Sequence, residues 1–304
     1  MTKFAWARVI LGISFALALL AACGGGYSDG RSSKVRVVAT TVQITALARE
    51  VGGDKIDLRG IIPAGADAHD FEPRASDVAA IEDAQLILRH GIGLDGWLDN
   101  TLAAGANATV VTVTDGVVLR TREEGGKEVD DPHVWHDPDN AKIMVDDIAT
   151  ALDGADPANK VTYDANAAAY KVKLDETKAE VQAIIAEIPA ADRKLVTNHD
   201  AFGYFAQAFG LEIVGTVIPS VSTDAQPSAK ETAALLETID REGVKAIFAE
   251  SSVNPQLATT LANDAGVKIV DDLYGDSLGE PGSGADTVDG MLLANARKIA
   301  DALK

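Results

Sequence analysis

Residues 157–188 read PANKVTYDANAAAYKVKLDETKAEVQAIIAEI, and this stretch decides how the rest of the chain is organised. Pro157 suits a first helical turn, and Pro189 ends the helix. Apolar residues recur at steps of three, four or seven, as on one buried helix face: Tyr163, Ala167, Tyr170, Leu174, Val181, Ile185 and Ile188. At about 1.5 Å per residue, roughly 30 residues span about 45 Å, the length of a two-lobed molecule. We predict one long helix; the alternative is two helices with a break near Asp175.

Short β-rich runs alternate with helical runs on both sides of that stretch. Before it, we predict the strands 35–39, 56–62 and 86–88 and the helices 44–51 and 76–83, the last with Ser76 as N-cap. After it, we predict the strands 194–197, 213–217, 246–249 and 267–270 and the helices 202–208, 228–241, 255–265 and 287–302. Alternation of this kind is typical of βαβ units.

The predicted fold class is therefore α/β, with two lobes that are each a mostly parallel sheet flanked by helices. One long backbone helix joins them. We assign residues 34–156 to the N-terminal lobe, 157–189 to the linking helix and 190–304 to the C-terminal lobe.

The N-terminus has the pattern of an export signal. Lys3 and Arg8 precede an uncharged run over 9–22, which is shorter than the roughly 20 residues that span a bilayer as a helix. The run ends in Leu-Ala-Ala before Cys23, the single cysteine, and resembles the bacterial lipobox, in which that cysteine is lipidated. We predict a signal peptide over 1–22, a lipidated flexible tether over 23–33 and an extracytoplasmic location at the cell membrane. A plain signal peptide with an unrelated cysteine is the alternative.

Composition excludes several classes of protein. The 304 residues are 47% hydrophobic and 24% charged, which suits a folded chain of about two domains rather than a disordered one. Asp and Glu number 46 against 27 Lys and Arg, a net charge of −19 that repels a phosphate backbone, so we expect no nucleic-acid partner. A chain with one cysteine forms no internal disulfide, so its stability must come from its core.

Three of the five histidines stand in turns where α/β folds present ligand groups. His69 lies in PAGADAHDFEP after a predicted strand, His133 in DPHVWHDP, and His199 in NHDAFGYF after another strand. Asp276 lies in LYGDSL, again after a strand. A single loop histidine is weak evidence for a ligand, because most such side chains are solvated or hydrogen-bonded. The four segments together are stronger evidence.

These segments resemble those of the zinc- and manganese-binding lipoproteins that serve ABC importers. That family carries Gly-x-Asp-Pro-His-Asp-Tyr-Glu-Pro, Asp-Pro-His-x-Trp-x-Asp-Pro, a His or Glu before Ala-Phe-x-Tyr-Phe, and a late Asp-Ser. The likeness covers essentially the whole mature chain, including IFAESSV over 247–253. Two features depart from it: Ala68 stands where Pro is usual, and the segment 120–130 is shorter than the His- and acid-rich loop of some zinc members and has no histidine.

The resemblance implies a divalent metal held in the cleft by two ligands from each lobe: His69, His133, His199 and Asp276. Three imidazoles and one carboxylate suit Zn²⁺ and disfavour Ca²⁺ and Mg²⁺, which prefer oxygen ligands alone. We expect Zn²⁺ as the cargo, mainly because His199 stands where several manganese-binding members have Glu. Mn²⁺ is the second choice, admitted if Asp276 binds through both oxygens.

Other polar and aromatic residues are expected near the ligands. Glu250 is expected to orient a ligand imidazole, and His136 to lie in a supporting or surface position. We assign no ligand role to His90, which follows a strand, and assign Trp97 and Trp135 to packing, because indole offers no lone pair.

The function implied by the resemblance is capture of a metal ion outside the cytoplasmic membrane and its delivery to an ABC permease, without catalysis. We expect a monomer. The alternative from another class is a secreted zinc metallohydrolase with Glu250 as general base, but four protein ligands would leave no open position for water, and no His-Glu-x-x-His motif occurs. A surface adhesin on the same fold is left open.

Overall fold

A computed structural model describes residues 34–103 and 107–304 of the chain. The predicted signal peptide over 1–22 and the tether over 23–33, with Cys23, lie outside the described residues. Within the part that is described, no helix combines the length and the apolar character needed to cross a membrane.

The N-terminal lobe is a parallel sheet with helices between its strands. Its elements are β1 (Val35–Ala39), α1 (Val42–Gly52), β2 (Ile56–Gly60), α2 (Ala75–Asp83), β3 (Leu86–Arg89), α3 (Trp97–Ala103) and β4 (Thr109–Thr112). The strand order is β2-β1-β3-β4, all parallel, with Val35 beside Ile56 and Val37 beside Leu86. Aliphatic residues dominate the central strands, because a parallel sheet is covered on both faces.

The start of α2 differs from the prediction. The helix begins at Ala75, and the Asp77 carboxylate accepts a hydrogen bond from the backbone N–H of Arg74 at 3.0 Å. Ser76 therefore lies inside the helix, and its assignment as N-cap was wrong: the N-cap is Arg74, whose backbone N–H is satisfied by Asp77 three residues later.

A hairpin and two long helices follow the first sheet: β5 (Thr121–Glu124), β6 (Lys127–Asp130), α4 (Pro138–Ala155) and α5 (Lys160–Ala186). The C-terminal lobe then repeats the parallel pattern with β7 (Lys194–Thr197), α6 (Gly203–Phe209), β8 (Glu212–Thr216), α7 (Ala229–Glu242), β9 (Ala246–Glu250), α8 (Gln256–Ala265), β10 (Lys268–Leu273) and α9 (Val288–Leu303). Its strand order is β10-β9-β7-β8, again parallel.

The long helix α5 connects the two sheets and packs against both lobes. A 3₁₀ turn over Pro157–Asn159 precedes it, and the helix then continues through Asp175, so the alternative of two shorter helices was wrong. All seven residues of the predicted apolar face are buried. That face packs against α1 and α4 on one side and α9 on the other, which confirms the predicted fold class of two α/β lobes with one connecting helix. The lobe boundaries at 156 and 190 stay predictions.

Candidate metal centre

The four candidate ligands come from loops that follow strands or the hairpin. His69 follows β2, His199 follows β7, and Asp276 follows β10. His133 follows β6 and precedes a 3₁₀ turn over Val134–His136. The carboxyl ends of parallel strands share one edge of a sheet, and this is the edge where open α/β folds bind ligands. The fold thus carries side chains that are 207 positions apart in the sequence (276 − 69) to a single point.

At that point, the ligand atoms of the four side chains lie within 4.8 Å of one another. His133 Nε2 is 3.4 Å from His69 Nε2, 3.2 Å from His199 Nε2 and 3.1 Å from Asp276 Oδ1. Asp276 Oδ2 is 3.3 Å from His199 Nε2 and 3.4 Å from His69 Nε2. Each imidazole therefore turns its Nε2 toward the other ligands.

These separations fit a small coordinated cation. With metal–nitrogen distances of about 2.0–2.1 Å, the corners of a regular tetrahedron lie about 3.3–3.4 Å apart. Five separations among the three Nε2 atoms and the two Asp276 oxygens run from 3.1 to 3.4 Å, close to that range. Both oxygens of Asp276 face the imidazoles, so the carboxylate can bind through one oxygen or through two.

The centre is closed to solvent on most sides. His133, His199 and Asp276 are fully buried, whereas the side chain of His69 keeps 9% of its surface exposed. His69 lies on the loop between β2 and α2, so it is the candidate ligand nearest to solvent.

Two of the imidazoles are oriented by carboxylates on their other nitrogen. His199 Nδ1 lies 2.6 Å from Glu250 Oε1, and His133 Nδ1 lies 2.7 Å from Asp131 Oδ1. A carboxylate there accepts the Nδ1 proton, which leaves the Nε2 lone pair free for a metal. The expected place of Glu250 beside a ligand agrees with this geometry.

Asp131 was not predicted to support a ligand, although its spacing from His133 is a signal in the sequence. Asp131 Oδ1 also accepts the backbone N–H of His133 at 3.0 Å, and Asp67 Oδ1 accepts that of His69 at 2.9 Å. Each is an Asx turn in which Asp precedes His by two residues. The repeated Asp-x-His spacing marks two loops whose backbone is fixed by an aspartate.

The carboxylates determine the protonation of the two oriented imidazoles. Burial lowers the pKa of His133, but Asp276 and Asp131 raise that pKa by more, to about 9. Burial also lowers the pKa of His199, while Glu250 and Asp276 raise it well above its ordinary value. Without a bound cation, these two imidazoles hold protons at neutral pH that an incoming metal must displace.

The pKa values of the other two candidate ligands, His69 and Asp276, are lowered. Burial lowers the pKa of His69 and outweighs the opposing effect of Asp276. For Asp276, burial raises the pKa, but the imidazoles of His199 and His133 bring it well below its usual range. The carboxylate is therefore ionised at any pH near neutrality.

The remaining histidines lie outside this group of four. His136 is fully buried with its ring centroid 4.9 Å from that of Phe202, so a surface position was wrong: the 3₁₀ turn directs it into the aromatic core. Among the described residues, no hydrogen bond joins it to a candidate ligand. His90 is also buried, with Nε2 2.8 Å from the Pro132 carbonyl.

Trp97 and Trp135 pack against different aromatic residues. Trp135 packs edge-on to His133, with centroids 5.4 Å apart, and its Nε1 donates to the Gly275 carbonyl at 3.2 Å. Trp97 packs against Phe71 instead, with centroids 5.4 Å apart.

The chain is similar to proteins of one family along nearly its whole length. The family model described as the periplasmic zinc-uptake complex component A matches residues 37–302. The manganese ABC transporter substrate-binding lipoprotein PsaA of Streptococcus pneumoniae is 33% identical, over 94% of this chain and 94% of that protein. The iron ABC transporter substrate-binding lipoprotein MtsA of Streptococcus pyogenes is 32% identical, over 97% of each chain.

Solved structures of periplasmic metal-binding proteins are also similar to this chain over most of its length. The periplasmic zinc-binding protein TroA from Treponema pallidum superposes with a TM-score of 0.82 at 29% identity, covering 89% of this chain and 99% of that one. The Mn-bound periplasmic metal-binding protein from Candidatus Liberibacter asiaticus superposes with a TM-score of 0.79 at 26% identity, covering 89% of this chain and 100% of that one.

Proposed function

We propose that this chain, which belongs to the family of the periplasmic zinc-uptake component, captures one divalent transition metal ion between its lobes. As the substrate-binding protein of a metal ABC transporter, it would deliver that ion to the permease. The proposed ligands are His69, His133, His199 and Asp276. The observation that carries this proposal is the convergence of these side chains, two before and two after α5, within 4.8 Å.

Binding without catalysis is the proposed mode of action. A catalytic zinc keeps an open coordination position for water, whereas here four protein side chains surround one point. Glu250, the candidate base of a hydrolase, lies with Oε1 2.6 Å from His199 Nδ1. A carboxylate in that position orients a ligand and is not directed at a metal-bound water.

Zinc is the proposed cargo. Three neutral imidazoles are ligands that Zn²⁺ accepts readily, and with one oxygen of Asp276 they supply the four nitrogen and oxygen donors that a tetrahedral zinc site uses. The Irving–Williams order places Zn²⁺ above Mn²⁺ at almost any site of this composition, so affinity alone does not decide the cargo.

Manganese is the second candidate, and one observation favours it. Both oxygens of Asp276 face the imidazoles, at 3.1 and 3.3 Å from His133 and His199. A bidentate carboxylate gives five protein donor atoms, which suits Mn²⁺ better than a tetrahedral set does. The relative PsaA is named as a manganese transporter protein.

We also propose that the mature protein is held at the outer face of the cytoplasmic membrane by a lipid on Cys23. The lipobox-like sequence and the naming of PsaA and MtsA as lipoproteins support this. The proposed monomer is supported by a ligand set that one chain supplies in full.

The ligand assignment is tested by metal titration of single variants of the mature chain. His69→Ala and Asp276→Ala should each weaken Zn²⁺ binding severely, because each removes a donor atom from a set of four. His136→Ala is the matched control, since that imidazole is buried near the centre without bonding to a ligand. An equal loss at His136 would contradict the assignment.

The cargo is tested by elemental analysis of the protein from its native host, together with growth of a deletion strain under zinc or manganese starvation. Zinc in the purified protein and a growth defect confined to zinc starvation are expected. If the purified protein contains manganese and the growth defect is confined to manganese starvation, the cargo is manganese and not zinc.

A further inference from the structure

Within the described residues, no hydrogen-bond donor outside the candidate metal centre orients the Asp276 carboxylate. Among the described residues, its two oxygens have no hydrogen-bond partner other than the site imidazoles. The two oriented imidazoles differ in this respect, because each has a carboxylate on Nδ1. The direction of the Asp276 side chain therefore depends on where its backbone is held.

That backbone is held by groups that precede α5 in the chain. Trp135 Nε1 donates to the Gly275 carbonyl at 3.2 Å, and Gln43 Nε2 donates to the Asp276 carbonyl at 2.9 Å. The backbone N–H of Gly65 donates to Ser277 Oγ at 2.6 Å. Three consecutive residues of the ligand loop are thus attached to the N-terminal lobe, although the loop follows β10 of the C-terminal lobe.

Gln43 is unusual among these three donors. It lies in the first turn of α1, directly after β1, and is fully buried next to the core residues Ile44 and Leu47. Its Oε1 has no hydrogen-bond partner within the described part of the chain. A buried amide with one unpaired end costs stability that an apolar side chain of the same shape would not, so packing does not explain its presence.

We propose that Gln43 is a positioning residue that fixes the Asp276 carboxylate and thereby sets the preference of the site between metals. This inference rests on the proposed function and extends it to selectivity. Gln43 touches no cargo: it acts through the Asp276 carbonyl, from the opposite lobe, and keeps both carboxylate oxygens directed at the imidazoles.

The two candidate metals depend on that carboxylate to different degrees. Zn²⁺ needs only one oxygen of Asp276 to complete a set of four donors, so a rotated carboxylate that keeps one oxygen on the ion still completes a zinc site. Mn²⁺ prefers oxygen donors and gains more from a bidentate carboxylate. Loss of the Gln43 hydrogen bond should therefore weaken Mn²⁺ binding more than Zn²⁺ binding.

The test is competition titration of the full mature chain with Zn²⁺ and Mn²⁺, comparing wild type with Gln43→Met, which keeps the shape and removes the donor. Removing a group that supports a ligand lowers metal affinity by about 10–100-fold, so the Mn²⁺ Kd should rise about tenfold or more. The Zn²⁺ Kd should rise clearly less, and the ratio of the two Kd values should change. Hydrogen exchange at the amides of 275–277 should become faster in the metal-free variant.

Asn166→Leu is the matched control. Asn166 Nδ2 donates to the Val51 carbonyl at 2.9 Å, so this variant also removes an amide donor to a backbone carbonyl, but away from the centre. It should lower the melting temperature without changing the ratio. Ser277→Ala provides a second variant of the same loop. It loses the hydroxyl that accepts from Gly65 and donates to the Leu278 carbonyl, and its ratio should change in the same direction.

Equal changes of both Kd values in Gln43→Met, or no change in either, would overturn the inference and leave the proposed function intact. If Gln43→Met does not fold, an unchanged ratio in Gln43→Leu, which also removes the donor to Asp276, overturns it. A wild-type protein that binds neither metal would overturn the proposed function itself.

Discussion

Gly275 matters at the candidate metal centre because it has no side chain. A Cβ at this position would overlap the Glu250 carboxylate, the group that accepts the Nδ1 proton of His199. Glu250 is fully buried and its Oε1 lies 2.6 Å from His199 Nδ1, so moving the carboxylate away would break that hydrogen bond. The loop before Asp276 and the carboxylate behind His199 can therefore lie in contact only when residue 275 is glycine.

Gly275→Ala is expected to lower metal affinity by about 10–100-fold, the usual cost of disturbing a group that supports a ligand. The added methyl displaces Glu250, so His199 loses its fixed tautomer and orientation. Isothermal titration with Zn²⁺ measures the effect. Gly154→Ala is the control, because a Cβ there meets nothing within 4 Å, and its affinity should equal that of wild type.

At the same scale, the sequence indicated the four candidate ligands and Glu250, but not the residues that hold the loop of Asp276. His69, His133, His199 and Asp276 stand in recognisable local motifs, and these motifs can be read without the fold. Gln43 cannot be identified in this way, because its bond to Asp276 joins residues 233 positions apart (276 − 43) and leaves no local pattern.

The β5–β6 hairpin is the element that connects the lobes beside His199. Its Glu124 carboxylate accepts from the Val221 backbone N–H at 2.7 Å and from Ser220 Oγ at 3.1 Å. Its Arg122 forms an ion pair with Asp200, the residue after His199. The hairpin thus runs from the N-terminal lobe to the loop that carries a candidate ligand on the other lobe.

Glu124→Ala is expected to accelerate metal release about three- to tenfold, because it removes two hydrogen bonds to a carboxylate that join the lobes at a partly exposed position. The four candidate ligands remain unchanged. The rate of metal release should therefore change more than the number of metal ions bound per chain. Stopped-flow transfer of the metal to a chelator measures the rate.

Glu123→Ala is the matched control for that prediction. Glu123 is the neighbouring residue on β5 and is exposed, and successive side chains of a strand point to opposite faces. Release from this variant should match that from wild type. An equal acceleration in both variants would indicate a general effect of hairpin charge and contradict the role given to the Glu124 contacts.

The elements were predicted unevenly for physical reasons. Helix α5 was found because its apolar stripe has helical period over its full length. The hairpin was missed, although Gly125 and Gly126 both have positive φ, 58° and 79°, as a tight hairpin turn requires. Its arms are polar and lack the apolar alternation of a half-buried strand, so the Gly-Gly pair was the remaining signal.

At the scale of the whole molecule, a bound cation would add a link between two lobes that already share a core around α5 and contact each other through α1 and α9. Two candidate ligands precede α5 and two follow it, so separating the lobes would break the coordination. The metal therefore binds the folded protein and should stabilise it by mass action, by about 2.7 kcal/mol at 100 times Kd.

The last prediction is that this stabilisation depends on pH. At 100 times Kd, Zn²⁺ should raise the melting temperature by about 5 °C near pH 8. At the same metal concentration the increase should be smaller near pH 6, because protons compete for His133, whose pKa is raised to about 9, and for His199, whose pKa is also raised.

The metal-free protein should show the opposite trend. An imidazole with a raised pKa stabilises the folded state fully below its unfolded pKa of about 6.5 and loses that contribution as the pH rises through about 9. The melting temperature without metal should therefore fall over this range while the metal-induced increase grows.

Calorimetric scans at several pH values measure both curves, with Asp276→Ala as the control that should show little metal-induced increase in melting temperature. A metal-induced increase that is the same at pH 6 and pH 8 would mean that no imidazole proton is displaced, which is incompatible with three histidine ligands.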